Sequence, residues 1–250
     1  MTLRLDLKGA VARILIDRPE KRNAFNQAMW LQVPLLVAKA VAAPAVRVII
    51  LASSTPGMFC AGADIGELLA NKDDADWRAA NQAAINAAQY ELTRAAKPVI
   101  AFVDGDCVGG GCGLALACDI RVSTLRSRFG ITPAKLGLVY PLHDTKLLVD
   151  LVGPGQAKRM LFTGALLPAE EALRIGLIEM LGEGADDLAQ IISIASAHST
   201  HGVKGFVRRI LDGQAGDDAE TLAAFAQAFT LPDFDEGTRA FVEKRKANFG

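Results

Sequence analysis

The sequence predicts an α/β fold, with a core of alternating strands and helices and a C-terminal helical layer. Short apolar runs rich in β-branched residues, at positions 46–51, 98–103 and 120–123, predict buried strands. The segments between them are longer and have helical patterns, and from position 145 onward almost everything is helical. Strands that alternate with helices favour a parallel sheet, and a chain of 250 residues that is 51% hydrophobic can bury a sizeable core.

Each element of the first half has its own local signal. Residues 3–7 and 10–16 alternate around Gly9, which predicts a β-hairpin. Residues 26–42 predict a helix that ends before Pro44. Further helices are predicted for a segment that begins near Asp64, for residues 76–96 and for residues 110–118.

Glycine and proline divide the helical second half of the chain. Both residue types interrupt helices, so breaks are predicted at Gly153 and Pro154, and at Gly164, Gly176 and Pro232.

Composition excludes several kinds of partner. The net charge is −1 and Lys and Arg form no long block, so nucleic acid is not an expected partner. Charged residues interrupt the first 17 positions, so these lack the continuous apolar stretch of a secretory signal. No apolar run is long enough to span a membrane. The four cysteines lack Cys-x-x-Cys spacing and predict buried, reduced thiols rather than a metal site. A cytoplasmic protein is expected.

Three consecutive glycines, at positions 109–111, separate a predicted strand from a predicted helix. Glycine destabilises regular elements, so the run indicates that another group approaches the backbone closely. Free N–H groups at a helix start also favour negative charge. A second loop of small residues, at positions 59–65, comes before a helix that Asp64 is suited to cap. Each loop alone is better explained as a tight turn, but together they can aim two amides at one oxyanion.

These segments resemble the enoyl-CoA hydratase/isomerase, or crotonase, family. The resemblance extends over nearly the whole chain and depends on the joint order of modest motifs. In chain order, the motifs are residues 17–26, 61–64, 109–119, 129–130, 135–137, 161–164, 172–178 and 236–246.

The resemblance implies a crotonase-like ββα spiral core with a coenzyme A thioester site in residues 1–190. Residues 191–250 would form a helical region for trimerisation and closure of the pocket. The substrate would be an acyl-CoA thioester, with coenzyme A bound as part of the substrate and no permanent cofactor or metal. The family forms trimers, often paired into hexamers, so a homotrimer or a dimer of trimers is expected.

The resemblance also assigns roles to individual residues. The two oxyanion donors fall on the backbone N–H groups of Ala63 and Gly110. The coenzyme A contacts fall on Arg22, Ala24, Ala61, Asp64 and Ile65, where Arg22 is equally well explained as a solvated charge. Phe241 and Lys244 match tail positions that contact the coenzyme on a neighbouring subunit, and their spacing predicts one shared helix face.

Two positions depart from the family pattern. The family's hydratases use two glutamates, one to activate water and one to deliver a proton. The corresponding positions hold Gly113 and Pro133 here, and neither residue can transfer a proton. Hydration by paired glutamates is therefore not expected.

The segment that follows offers three ionisable replacements, Tyr140, His143 and Asp144. Tyr140 resembles a tyrosine of a decarboxylase-like branch of the family. Asp144 is a candidate acid or base, or else the N-cap of a helix over residues 145–151. Isomerase, decarboxylase and hydrolase chemistry stay open for this acyl-CoA enzyme, and a catalytically silent acyl-CoA binder or supporting subunit is the alternative.

Overall fold

Strands and helices alternate along residues 2–249, the part of the chain that the computed structural model describes. The strands are β1 (Leu3–Lys8), β2 (Val11–Ile16), β3 (Val48–Ser53), β4 (Val99–Val103), β5 (Asp106–Val108), β6 (Ile120–Ser123), β7 (Arg128–Gly130), β8 (Leu167–Pro168) and β9 (Met180–Leu181). The helices are α1 (Gln27–Ala42), α2 (Ile65–Ala70), α3 (Ala75–Arg94), α4 (Gly110–Leu116), α5 (Leu142–Thr163), α6 (Ala169–Arg174), α7 (Asp186–Ser193), α8 (Ala197–Leu211), α9 (Ala219–Ala228) and α10 (Pro232–Val242). The predicted α/β class and the helical C-terminal layer are confirmed.

The main sheet has six strands in the order β1-β2-β3-β4-β6-β9. The predicted hairpin of β1 and β2 is antiparallel, and every later neighbouring pair is parallel. The carboxyl ends of parallel strands lie at one edge of a sheet, so the segments that follow β3 and β4 leave the sheet side by side.

Helices cover both faces of this sheet. Ile49 and Leu51 of β3 pack into the larger core with α1 and α3, whereas Ile50 points to the opposite face and packs near Ala189 of α7. Successive residues of a strand point to opposite faces, so a strand covered on both sides is apolar throughout. This explains why β3 is apolar without interruption from Val48 to Ala52.

A small second sheet, in the order β5-β7-β8, connects β4 to helix α4. Gly105 precedes β5 with φ +91°, and a Cβ there would overlap the Gly57 carbonyl. The sequence does not predict β5, β7, β8 or β9, because strands of two or three residues are too short to show a period.

The helical second half differs from its prediction at one important place. Helix α5 begins at Leu142 with Pro141 as its N-cap, three residues before the predicted start. Asp144 therefore lies inside the first turn and does not cap the helix, so that interpretation was wrong. The predicted breaks are confirmed at Gly153 (φ +71°), where the helical geometry is interrupted, and at Gly164 (φ +56°), which ends α5.

Within the described residues, no helix combines the length and the apolar character needed to cross a membrane.

Candidate active site

Asn23 holds together the loops that lead into the site. It is fully buried, with φ +57°, and its side-chain Nδ2 lies 2.8 Å from Ser53 Oγ and 3.0 Å from the carbonyl oxygens of both Met58 and Phe59. Its Oδ1 accepts a hydrogen bond of 2.8 Å from the backbone N–H of Arg18. Asparagine tolerates the left-handed conformation better than most residues, which fits it to this turn. Asn23 thus fixes the path of the chain between β3 and residue 60.

The next segment, residues 60–64, is held by backbone hydrogen bonds on both sides. On one side Cys60 pairs with β5, since its N–H donates to Asp106 and its carbonyl accepts from Val108, both at 3.0 Å. On the other side Phe25 donates to Gly62 and accepts from Asp64, both at 2.8 Å. In this parallel bridge the partner of Phe25 is Ala63. Phe25 bonds the residues before and after Ala63, so the N–H of Ala63 itself makes no hydrogen bond in the bridge. The Ala63 amide therefore remains a free donor within the described residues.

The N-terminus of α4 supplies a second free donor next to the first. Gly109 turns the chain with φ +54°, and Gly110 is the first residue of α4, where N–H groups have no intrahelical partner. A Cβ built on Gly110 would lie 3.7 Å from the nitrogen of Ala63, and one on Gly62 would lie 3.4 Å from the nitrogen of Gly110. The structure thus brings together the two amides that the sequence singled out.

Close approaches explain why these positions are glycines. A Cβ on Gly62 (φ +102°) would lie 2.9 Å from the carbonyl oxygen of Val108. A Cβ on Gly110 would lie 3.0 Å from the indole of Trp30, and one on Gly111 would lie 2.6 Å from the carbonyl oxygen of Cys60. The distances at Gly62 and Gly111 are ones that real Cβ atoms essentially never show. The two loops are locked together at backbone distance, as the triple glycine run predicts.

Three polar side chains surround Gly113, one turn further along α4. A Cβ on Gly113 would lie 2.5 Å from Gln89 Nε2, 2.9 Å from Asp144 Oδ1 and 3.3 Å from the hydroxyl of Tyr140. Gln89 comes from α3, and its Nε2 donates a hydrogen bond of 2.6 Å to Asp144 Oδ1. Gln89 is 0% exposed and Asp144 is 2% exposed. The space next to Gly113 therefore holds a carboxylate that comes from α5.

Several polar atoms of this cluster have no partner within the described residues. They are Gln89 Oε1, the Tyr140 hydroxyl and Asp144 Oδ2, and Nε2 of the neighbouring His143 is unpaired as well. Buried polar atoms are normally paired, and each unpaired one costs about 1–3 kcal/mol. Such a cost is typical of sites that pair with a ligand instead.

Burial dominates the electrostatics of the cluster. It raises the pKa of Asp144 above its usual range, while the hydrogen bond from Gln89 and the nearby His143 oppose this rise. Burial, together with the negative charge of Asp144, raises the pKa of Tyr140 well above its usual range. A carboxylate whose pKa is raised is a stronger base than an ordinary aspartate and is suited to taking and returning a proton, whereas the tyrosine hydroxyl remains a hydrogen-bond donor.

The residues assigned to coenzyme A lie around the two loops with different exposures. Ala24 is buried, Ala61 is half-buried, and Arg22 and Ile65 are exposed. Asp64 caps α2 by accepting from the N–H of Gly66 at 3.0 Å, as predicted. Its other carboxylate oxygen pairs with Arg18 at 2.8 Å. The side chain of Asp64 is therefore already engaged.

The tail residues do not share a helix face. Helix α10 ends at Val242, and Lys244 lies beyond it with φ +53°. The prediction of one face for Phe241 and Lys244 was therefore wrong, although Phe241 is 85% exposed and free to contact another chain.

The four cysteines are buried free thiols. Burial raises the pKa of Cys60 to about 12, so this thiol stays protonated next to the oxyanion loop. A protonated, buried thiol is a poor nucleophile.

Sequence reasoning missed Asn23 and Gln89 as functional residues. Gln89 had a readable signal, because it is a polar residue beside Ala88 and between Ala84 and Leu92, which are buried along the same helix. A polar side chain on the buried side of a helix requires a partner.

The chain is similar to known proteins over nearly its whole length. The model of the family described as enoyl-CoA hydratase/isomerase matches residues 6–250. A crotonyl-CoA hydratase from Syntrophomonas wolfei is 33% identical, over 98% of this chain and 96% of the relative. A short-chain-enoyl-CoA hydratase from Clostridium acetobutylicum is also 33% identical, over 97% and 95% of the two chains.

Solved structures show the same fold. A protein of the enoyl-CoA hydratase/isomerase family from Hyphomonas neptunium superimposes with a TM-score of 0.96 and 40% identity. The match covers 100% of this chain and 98% of that one. An enoyl-CoA hydratase from Bacillus anthracis superimposes with a TM-score of 0.89 and 27% identity, covering 100% and 99% of the two chains.

Proposed function

The chain belongs to the enoyl-CoA hydratase/isomerase family, and we propose that it stabilises the enolate of an acyl-CoA thioester between the backbone amides of Ala63 and Gly110. Coenzyme A is bound as part of the substrate, and no permanent cofactor or metal takes part. Asp144 is the proton carrier, and Tyr140 donates a hydrogen bond beside it. One observation carries the proposal: the space at Gly113 holds the carboxylate of Asp144, one helical turn from Gly110.

The free amides suit a charge that develops on the thioester oxygen. Removal of the α-proton moves an electron pair onto that oxygen, and two prealigned N–H donors stabilise it there. Both donors are fixed by backbone contacts at Gly62 and Gly111, so they need no rearrangement when the charge forms. The dipole of α4 adds a favourable field at Gly110.

A single carboxylate supports some reactions of this family better than others. Asp144 can take the α-proton of a β,γ-unsaturated thioester, which leaves a dienolate at the two amides, and return the proton to the γ-carbon, which is isomerisation. Decarboxylation needs the two amides and a dry pocket more than it needs a base. Hydrolysis of the thioester would use Asp144 to activate water. Efficient hydration is disfavoured, because Gly113 and Pro133 supply no second carboxylate.

A test is the exchange of α-protons in heavy water, followed by mass spectrometry. The purified protein is incubated with enoyl-, malonyl- and β-hydroxyacyl-CoA thioesters. Asp144→Asn should slow exchange or turnover by about 10²–10⁴-fold, and Tyr140→Phe should slow it less. Asp73→Asn, an exposed carboxylate in the turn before α3, is the matched control. Equal rates for Asp144→Asn and Asp73→Asn would refute the role of Asp144.

The alternative is a silent acyl-CoA binder or a supporting subunit. The absence of both hydratase glutamates favours it. It predicts that acyl-CoA raises the thermal stability of the protein without any exchange or turnover. If no acyl-CoA raises the stability, the thioester assignment itself fails.

We also propose a homotrimer or a dimer of trimers. Large apolar side chains are exposed along the C-terminal helices, which is typical of surfaces that pack against another chain. They include Val203, Val207, Ile210, Phe225, Phe229 and Phe241. Light scattering of the purified protein measures the assembly, and a monomer at micromolar concentration would contradict the proposal.

A further inference from the structure

A largely apolar cavity of about 560 Å³ lies between α8 and the rest of the protein, away from the two amides. Thr93, Leu116 and Leu147 line its inner side, and Val203 and Val207 of α8 line its outer side, where it is open to solvent. Nothing in the proposed reaction uses this space.

The cavity is stacked directly on the polar cluster at Gly113. Thr93 follows Gln89 by four residues in α3, Leu116 follows Gly113 by three in α4, and Leu147 follows Asp144 by three in α5. Residues three or four apart lie one above the other on a helix face. Helices α3, α4 and α5 thus each contribute one residue to the cluster, and each contributes the residue one turn later to the cavity wall.

The cluster lies between the two amides and the cavity, because Gly113 is between Gly110 and Leu116 along α4. The Nε2 of Gln89 and the Oδ1 of Asp144 are 2.6 Å apart, and both side chains are almost fully buried. The side chain of Gln89 reaches from α3 to Asp144 of α5 across this layer. Its second polar atom, Oε1, has no partner within the described residues, so a single hydrogen bond holds it in place.

We propose that Gln89 sets the acyl-chain length of the substrate by closing the acyl pocket against this cavity. The inference rests on the proposed function. An acyl chain that starts at the Ala63 and Gly110 amides and passes Asp144 ends at the Gln89 side chain. Removing that side chain connects the pocket to an apolar compartment that holds the tail of a longer chain.

The test measures the affinity of saturated straight-chain acyl-CoA thioesters, from acetyl- to dodecanoyl-CoA, by calorimetry. Each methylene that leaves water tightens binding about fourfold. In the wild type we expect affinity to rise with chain length and then level off. In Gln89→Ala the chain length at which the affinity stops rising should increase by two or more methylenes. The longer thioesters should then bind roughly tenfold or more tightly than they bind the wild type.

Three further variants separate the cause from side effects. Gln89→Met keeps the bulk of the side chain without its hydrogen bond and should level off where the wild type does. Gln82→Ala, on the same helix but outside the cluster, should also behave as the wild type. Val203→Trp, added to Gln89→Ala, fills the cavity and should cancel the gain.

Two outcomes overturn the inference. One is an identical chain-length limit in the wild type and Gln89→Ala. The other is a wild-type affinity that is still rising with chain length at dodecanoyl-CoA. This second outcome can be measured on the wild type alone, so it does not depend on the folding of any variant. Failure of every thioester to bind the wild type would refute the proposed function itself, so the two failures are distinguishable.

Discussion

The carboxylate of Asp144 lies where a side chain at position 113 would begin: its Oδ1 is 2.9 Å from the Cβ position of Gly113. The two residues come from different helices, α4 and α5, and each explains the other. Gly113 leaves the room that the buried carboxylate needs, and the carboxylate occupies the space that a side chain at position 113 would fill.

Gly113→Ala should therefore disrupt the cluster. Its methyl group would lie 2.5 Å from Gln89 Nε2 and 2.9 Å from Asp144 Oδ1. Overpacking of this kind costs about 1–3 kcal/mol of unfolding free energy, measured by urea denaturation, and should also slow α-proton exchange. Gly155→Ala in α5 is the control, since a Cβ there meets nothing within 4 Å. Equal stability of the two variants would contradict the packing.

Gly62→Ala tests the rigidity of the two-amide arrangement. The added Cβ would lie 2.9 Å from the carbonyl oxygen of Val108, so residues 62–63 must shift. Loss of one oxyanion donor lowers the rate by about 10²–10³-fold. Gly213→Ala has nearly the same backbone angle, φ +103° against +102°, with nothing within 4 Å of its Cβ. It should lose some stability but keep its rate, and a rate loss as large as that of Gly62→Ala would point to general strain instead.

The pH dependence of exchange should report Asp144. Burial raises the pKa of this carboxyl, so the rate should increase with pH through a value above the usual range of an aspartate. Gln89→Met removes the hydrogen bond that opposes the rise, so the increase should move to higher pH. An unchanged profile in Gln89→Met would show that Gln89 does not act on Asp144.

The same carboxyl should affect stability with a defined sign. Its pKa is higher in the folded than in the unfolded protein, so the folded state binds the proton more tightly. Unfolding free energy should then decrease as pH rises from the unfolded value of Asp144 to its folded value. Asp144→Asn should lack this decrease, as measured by urea denaturation across that range.

Asn23→Ala should destabilise the loops without touching the cluster at Gly113. It removes a buried side chain that bonds the Phe59 carbonyl and the Arg18 amide, and it puts alanine at φ +57°. The expected loss is roughly 2–4 kcal/mol of unfolding free energy. Asn86→Ala, a half-buried amide in α3, should lose far less. Equal losses would show that Asn23 is not a structural clamp.

Local signals in the sequence were enough for much of the fold. The hairpin around Gly9, the Asp64 cap and the breaks at Gly153 and Gly164 depend on a few neighbouring residues, and all of them are confirmed. The short strands were not predictable, because two or three residues show no period.

The candidate site was predictable only in part. The paired loops at Ala63 and Gly110 have a compositional signature, since close backbone approach requires small residues. The meeting of Gln89 with Asp144 has none, because it joins residues far apart in sequence through the packing of α3 against the start of α5. A cap was a reasonable expectation for Asp144 until the helix start at Leu142 placed it in the first turn. The contact of Phe241 and Lys244 with a neighbouring subunit stays a prediction, as it requires a second chain.

Asp144 and Tyr140, the two ionisable groups beside Gly113, are held in place by different parts of the chain. Leu147 and Leu148 are buried in the main core and fix the rotation of the helix, and with it the direction of Asp144. The preceding residues 134–139 are all exposed, and Tyr140 is attached to them. Residues can therefore be inserted into or deleted from that loop without turning the carboxylate of Asp144, whereas Tyr140 follows the loop directly and has only its own packing against the core to keep its place. A change of loop length thus acts on the tyrosine before it acts on the carboxylate.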